Sequence, residues 1–189
     1  MFSLASRVQA LSNTTLTAVS LISAIVAIIS VAQLYFAGAW SLDGTNISHV
    51  KALALLKNLR SFGAEPGSAK ENAKIKFDLD ADLSPLFNWN TKQVFVYLTA
   101  EYDGANSGEN KVTFWDKIIT NKEDANLSLK SVSSKYSVWD VEPSFRERSA
   151  RLKLEWNVQP WVGPLLYGQT EAEQSFQFAA AKKPKKTAR

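Results

Sequence analysis

I-K-F-D-L-D-A-D-L-S-P-L-F-N-W-N-T-K-Q-V-F-V-Y-L-T-A-E-Y, running from Ile75 to Tyr102, is the stretch that decides the fold. From Ile75 to Leu83 apolar and charged residues alternate without a slip. Ile75, Phe77, Leu79, Ala81 and Leu83 share one face, and Lys76, Asp78, Asp80 and Asp82 share the other. A period of two belongs to a strand with one solvated face. Ser84-Pro85 interrupts the ladder, because proline has no amide proton to donate. Gln93 to Tyr102 then resumes as a nearly continuous apolar run rich in Val, Phe and Tyr. Both faces of this second strand are expected to be covered, which places it at the centre of a packed sheet.

Downstream the same period returns. Asp103 to Gly108 reads as a turn, and Val112 to Thr120 as the next strand. Leu127 to Val132 and Tyr136 to Val141 are weaker candidates. Arg151 to Val158 alternates cleanly, with Leu152, Leu154, Trp156 and Val158 inward, and Ser175 to Phe178 alternates once more. Upstream, Ile47 to Arg60 fits a helix and a strand equally well by its apolar spacing, and Gly63 to Ser68 is a loop. About seven or eight short strands separated by turn signals predict an all-β antiparallel sandwich. Its expected core includes Phe77, Leu79, Val96, Leu98, Leu154 and Trp156.

Before the sandwich lies a different kind of segment. Leu16 to Phe36 is 21 uncharged residues, which as a helix would span roughly 31 Å, the thickness of a bilayer's hydrocarbon. Tyr35, Phe36 and Trp40 sit at its far end, where aromatic rings favour the interface. Ala37-Gly38-Ala39 resembles a signal-peptide cleavage site, but the apolar run exceeds the roughly 7–15 residues of such a peptide, so an uncleaved anchor is expected. Arg7 precedes the span and Asp43 is the first charge after it. That bias predicts a cytosolic N-terminus and a translocated C-terminal domain. Ser23, Ala27 and Ser30 form a small-residue face that suits either a neighbouring helix or ordinary span composition. Gln33 is expected to reach the interface. The chain therefore divides into a cytosolic segment at 1–15, a transmembrane helix at 16–36, a β-sandwich domain at 37–180 and a tail at 181–189.

The formal net charge is +4, yet Lys182, Lys183, Lys185, Lys186 and Arg189 supply more than all of it. A nearly neutral domain argues against a nucleic-acid surface. The tail K-K-P-K-K-T-A-R is expected to be disordered. Cysteine is absent and His49 is the sole histidine, which removes disulfides, thiol nucleophiles and most general-base schemes. No G-x-S-x-G elbow, H-E-x-x-H or phosphate loop occurs. Asp78, Asp80 and Asp82 imitate the start of a calcium loop, but Leu83 stands where the glycine is needed and the alternation already accounts for them. No catalytic residue, cofactor, metal or small-molecule ligand is expected. Glycosylation triplets occur at Asn13, Asn46 and Asn126. A cytosolic Asn13 is out of reach and Asn46 lies close to the membrane, leaving Asn126 as the first candidate and Asn46 as the second.

The run F-N-W-N-T-K-Q-V-F-V-Y-L-T-A-E-Y (Phe87 to Tyr102) resembles the family of subunit 3 of the eukaryotic signal peptidase complex, its glycoprotein subunit. Further matches follow in order: F-D-L-D-A-D-L (Phe77 to Leu83), V-T-F-W-D-K-I-I (Val112 to Ile119), S-K-Y (Ser134 to Tyr136) and L-E-W-N-V-Q-P-W-V-G (Leu154 to Gly163). The resemblance runs to about Phe178. Some members carry a glycosylation triplet where this chain has Ser149-Ala150-Arg151, so no glycan position transfers. The resemblance implies a single-pass protein of the endoplasmic reticulum with a lumenal β-sandwich. It also implies a non-catalytic role beside a serine protease subunit, and a strand over Ile47–Arg60. Asn88, Trp89, Asn90, Lys92, Trp161 and Leu165 are the expected docking surface, because exposed Trp and Leu in a neutral domain suggest an interface. A free-standing, membrane-anchored or secreted β-sandwich binding module is the alternative reading, and a membrane-tethered hydrolase a third.

Overall fold

Alternating apolar residues need a second layer to bury them, and the chain supplies one from its own strands. The computed structural model describes residues 3–58, 69–104, 108–140, 144 and 146–180. A single helix, α1 (Leu4–Phe36), leads into eight strands: β1 (Asn46–Asn58), β2 (Ala69–Asp82), β3 (Thr91–Asp103), β4 (Glu109–Ile119), β5 (Asn126–Ser133), β6 (Val138–Trp139), β7 (Ser149–Pro160) and β8 (Leu166–Gln177). The basic tail and the Gly63–Ser68 loop lie outside the described residues.

All pairings are antiparallel. One sheet has the order β1-β2-β5, with the short β6 sharing the same edge of β2; the other runs β4-β3-β7-β8. Ala73, Ile75, Phe77, Leu79 and Ala81 of β2 face Val94, Val96, Leu98 and Ala100 of β3 and Leu152, Leu154, Trp156 and Val158 of β7, all of them buried. The segment left open between helix and strand is β1.

The structure corrects one expectation. β3 is central, between β4 and β7, but only its inward face is closed. Phe95 and Tyr97 point outward and are half-buried, their rings stacked at a centroid distance of 5.3 Å. The outward side of this sheet has no third layer among the described residues, so these rings are covered only by each other and by neighbours on the same face.

α1 is 33 residues long, or roughly 50 Å. It extends the 16–36 span by three turns toward the N-terminus, and Ser3 caps it through the Ser6 amide at 3.3 Å. The helix is long and apolar enough to cross a membrane. Its last turns do not stand apart from the domain. Leu34, Ala39 and Leu42 are part of the sandwich core, and Trp40 meets Trp156 edge-on at 5.7 Å.

Candidate functional site

The residues that could carry chemistry sit apart from one another. His49 occupies a bulge in β1 with φ of 50°, and its exposed ring lies 2.8 Å from Asp78. Asp78 also accepts the Ser131 amide at 2.6 Å, and Ser131 is itself a left-handed residue (φ 51°) in a bulge of the neighbouring β5. One carboxylate therefore ties two strained bulges across three strands. The Ser131 amide first, then His49, holds the Asp78 carboxyl below the usual aspartate range. Asp80 accepts the Ser128 hydroxyl at 2.7 Å, and Ser84 holds Asp82 low through its hydroxyl and amide. The three aspartates are each engaged separately. Among the described residues no cluster of three or more acidic or histidine side chains could hold a metal ion.

A pH prediction follows. A depressed folded-state pKa contributes stability above the unfolded value of about 3.9, and loses it as pH falls through the folded one. Asp78→Asn should therefore lower the unfolding midpoint of the full chain at neutral pH. Its deficit against the parent should shrink as the solution is acidified below pH 4. A constant deficit across the titration would show that the ionised carboxylate is not the fastener.

The outward face of the β4-β3-β7-β8 sheet holds an ionic network. Glu155 of β7 is only 8% exposed; it accepts the Thr99 hydroxyl at 2.7 Å, pairs with Lys111 and receives the Tyr97 phenol. Burial, then the Glu155 charge, pushes the Tyr97 phenol up to about 12. Glu101 continues the chain to Lys153 at 3.0 Å, and Lys153 to Glu173 at 2.9 Å. Lys153 in turn holds Glu101 low. Burial draws the Lys111 ammonium down, but Glu155 and Glu101 outweigh it and leave its pKa raised. That direction is opposite to what a lysine general base requires. The network is a clasp across four strands.

Closer to the helix the same face turns apolar. Phe95 pairs across the sheet with Ile118 on one side and Asn157 on the other, and Asn157 with Tyr167. Ile118 and Tyr167 are 55% and 61% exposed, with Leu165 exposed beside them.

The third feature is the junction of helix and sandwich. Asn88 donates to the Ser30 carbonyl and to its hydroxyl, both at 3.0 Å, and the Trp89 indole N–H donates to the Gln33 carboxamide at 2.6 Å. Gly163 lies so close to the helix that a Cβ there would stand 3.1 Å from that of Ala27. Asn90, which is buried, accepts the Val162 amide at 3.0 Å and donates to the Val162 carbonyl at 2.7 Å. Its own carbonyl takes the Trp161 amide at 2.8 Å. Lys92 rests its ammonium 5.3 Å above the Trp161 ring. Of the residues expected to dock a partner, Asn88 and Asn90 are thus engaged within the chain. Trp89, Lys92, Trp161 and Leu165 are exposed. The small-residue face of the helix meets this chain's own domain at Ala27 and Ser30, and Gln33 meets Trp89. Asn126 and Asn46 are both exposed, at the first positions of β5 and β1.

Sequence reasoning missed the clasp and the junction. Alternation marked Glu155 as outward but could not show that Lys111 and Thr99 would cover it. Ser30 and Gln33, polar residues in an apolar helix, were the only signal for the junction.

A helix fit to span a bilayer, joined without a swivel to a two-sheet sandwich with no convergent reactive groups among the described residues, defines a membrane-anchored β-sandwich protein. Residues 1–181 match the family described as signal peptidase subunit. The chain is 56% identical over 180 residues to "Signal peptidase complex subunit 3" of Debaryomyces hansenii, covering 95% of each chain. It is 49% identical to the Saccharomyces cerevisiae protein of that name, over 90% of this chain and 92% of that one. With the Homo sapiens protein it shares 37%, over 68% and 72%. The chain belongs to the signal peptidase subunit family.

Proposed function

We propose that this chain is a non-catalytic accessory subunit of the signal peptidase complex in the endoplasmic reticulum membrane. In this reading its N-terminus is cytosolic and its sandwich lumenal. Its task is to hold the lumenal lobe of the serine protease subunit at a fixed height over the bilayer. The observation that carries this reading is the junction. Three sites of contact on the last turns of α1, at Ala27, Ser30 and Gln33, make helix and sandwich one body. Such a body transmits the position of the membrane to whatever the sandwich touches. Cleavage at a defined distance from a membrane is a positioning problem, and fixed geometry is worth a large part of a reaction barrier. The relatives' names supply the complex; the ionic clasp and His49 supply no alternative chemistry.

The strip Ile118, Phe95 and Tyr167, crossed by Asn157 between the two aromatics, is the surface this reading assigns to the protease subunit. Large exposed apolar side chains along one strip, flanked by a satisfied charge network, have the composition of an interface core and rim. The test is extraction of the complex in mild detergent through a tag on this chain. The parent should bring down membrane subunits in stoichiometric amount. Ile118→Asp with Tyr167→Asp should lose the protease subunit while the unfolding midpoint stays put, and His49→Ala should change neither assembly nor precursor cleavage. A parent chain that purifies alone would favour the free-standing binding module, and loss of turnover in an assembled His49→Ala complex would favour a catalytic role.

A further inference from the structure

We propose that the loop Trp161–Leu165, together with Trp89, enters the interfacial layer of the lipid bilayer, so that the sandwich itself rests in the membrane surface. The first ground is height. Gly163 abuts Ala27, which lies nine residues before the end of α1 at Phe36, or roughly 14 Å along the axis. Ile25, Ile28 and Ile29, within one turn of Ala27 on the helix surface the domain leaves open, are exposed. Lipid that covers those residues on one side of the helix stands level with the loop on the other.

The second ground is composition. No charged residue occurs between Glu155 and Glu171. The exposed side chains at the tip are Trp161 (67%), Val162, Pro164 and Leu165 (49%), with Trp89 (57%) beside them. Tryptophan prefers the headgroup level of a bilayer, and Lys92 over the Trp161 ring brings an ammonium to the height of lipid phosphates.

The third ground is the backbone. Irregular chain is costly in lipid because its polar groups lack water. Here Asn90 satisfies both the N–H and the C=O of Val162 and takes the Trp161 amide. A tip already hydrogen-bonded from behind can leave water with little penalty. An interface with a protein partner would use the same apolar groups. The alignment with the span is what favours lipid.

The chain has no cysteine, so one can be introduced uniquely. Val162→Cys, Leu165→Cys, Val19→Cys and Glu109→Cys, each in the full chain and carrying an environment-sensitive fluorophore, would be reconstituted into phosphatidylcholine vesicles. Position 19 is exposed and lies eight residues before Ala27 on α1, roughly 12 Å deeper along the axis. Nitroxide lipids labelled at the headgroup or along the acyl chain serve as quenchers. The 162 and 165 labels should be blue-shifted and quenched most by the shallow nitroxides, the Val19 label by the deep ones, and the Glu109 label by neither. Quenching at Val19 with water-like emission at 162 and 165 would overturn the proposal while leaving the anchor intact. Shielding of 162 and 165 that develops only when the protease subunit is added would also overturn it, and would assign the loop to a protein contact.

Discussion

Trp156→Ala should destabilise the full chain by about 3–5 kcal/mol, a large share of a domain's total stability. Trp156 is fully buried on β7, where its ring meets Trp40 edge-on on one side and Gly168 on another. Its indole N–H has no hydrogen-bond partner among the described residues, so the contribution of the ring is packing alone. Trp156→Phe should therefore recover part of the loss, since it restores an aromatic surface without the orphaned donor. Denaturant unfolding of the detergent-solubilised chain, followed by far-ultraviolet circular dichroism, measures both. An alanine variant within experimental error of the parent would mean that the core does not close around this ring. The loss should also reach the junction, because Trp40 is the first large side chain after the helix and leans on the same indole.

Gly168→Ala should be nearly as damaging for the opposite reason. A Cβ at position 168 would stand 2.2 Å from one carbon of the Trp156 ring and within 2.7 Å of two more. Neither β8 backbone nor a wholly buried indole can retreat far, so overpacking of about 1–3 kcal/mol or more is expected. The pair can be tested together. In a Trp156→Ala background the added methyl enters space the indole has left, and the Gly168→Ala penalty should fall toward zero. Additive penalties in this double-mutant cycle would show that glycine is needed at 168 for its backbone and not for the ring.

The strands that could be read in the sequence are those whose period of two is unbroken. Ile75 to Asp82 and Arg151 to Val158 fall in β2 and β7 with the expected faces inward, and Leu83 is buried just past the end of β2. Where reading failed, a bulge had shifted the parity. In β1 the register slips between Ser48 and Lys51 at left-handed His49, so Ile47 and Val50 turn inward three residues apart and imitate a helical spacing. Leu53 and Leu55, half-exposed, blur the contrast further. A slip opposite β7 likewise hides most of β8, of which only Ser175 onward was visible. In β4 a bulge drives the adjacent Phe114 and Trp115 into the core together. The junction is illegible for a different reason. Ser30 and Asn88 are separated by 58 residues and Gln33 and Trp89 by 56, and no local pattern encodes a meeting at that range.

Because Ala27, Ser30, Leu34 and Trp40 bind the helix to the sandwich along successive turns, α1 cannot spin in the bilayer without carrying the domain around with it. Rotation about the membrane normal becomes a single shared coordinate. A neighbouring helix that grips the exposed flank of α1 thereby also sets the compass bearing of the Ile118–Tyr167 face, and turning one turns the other.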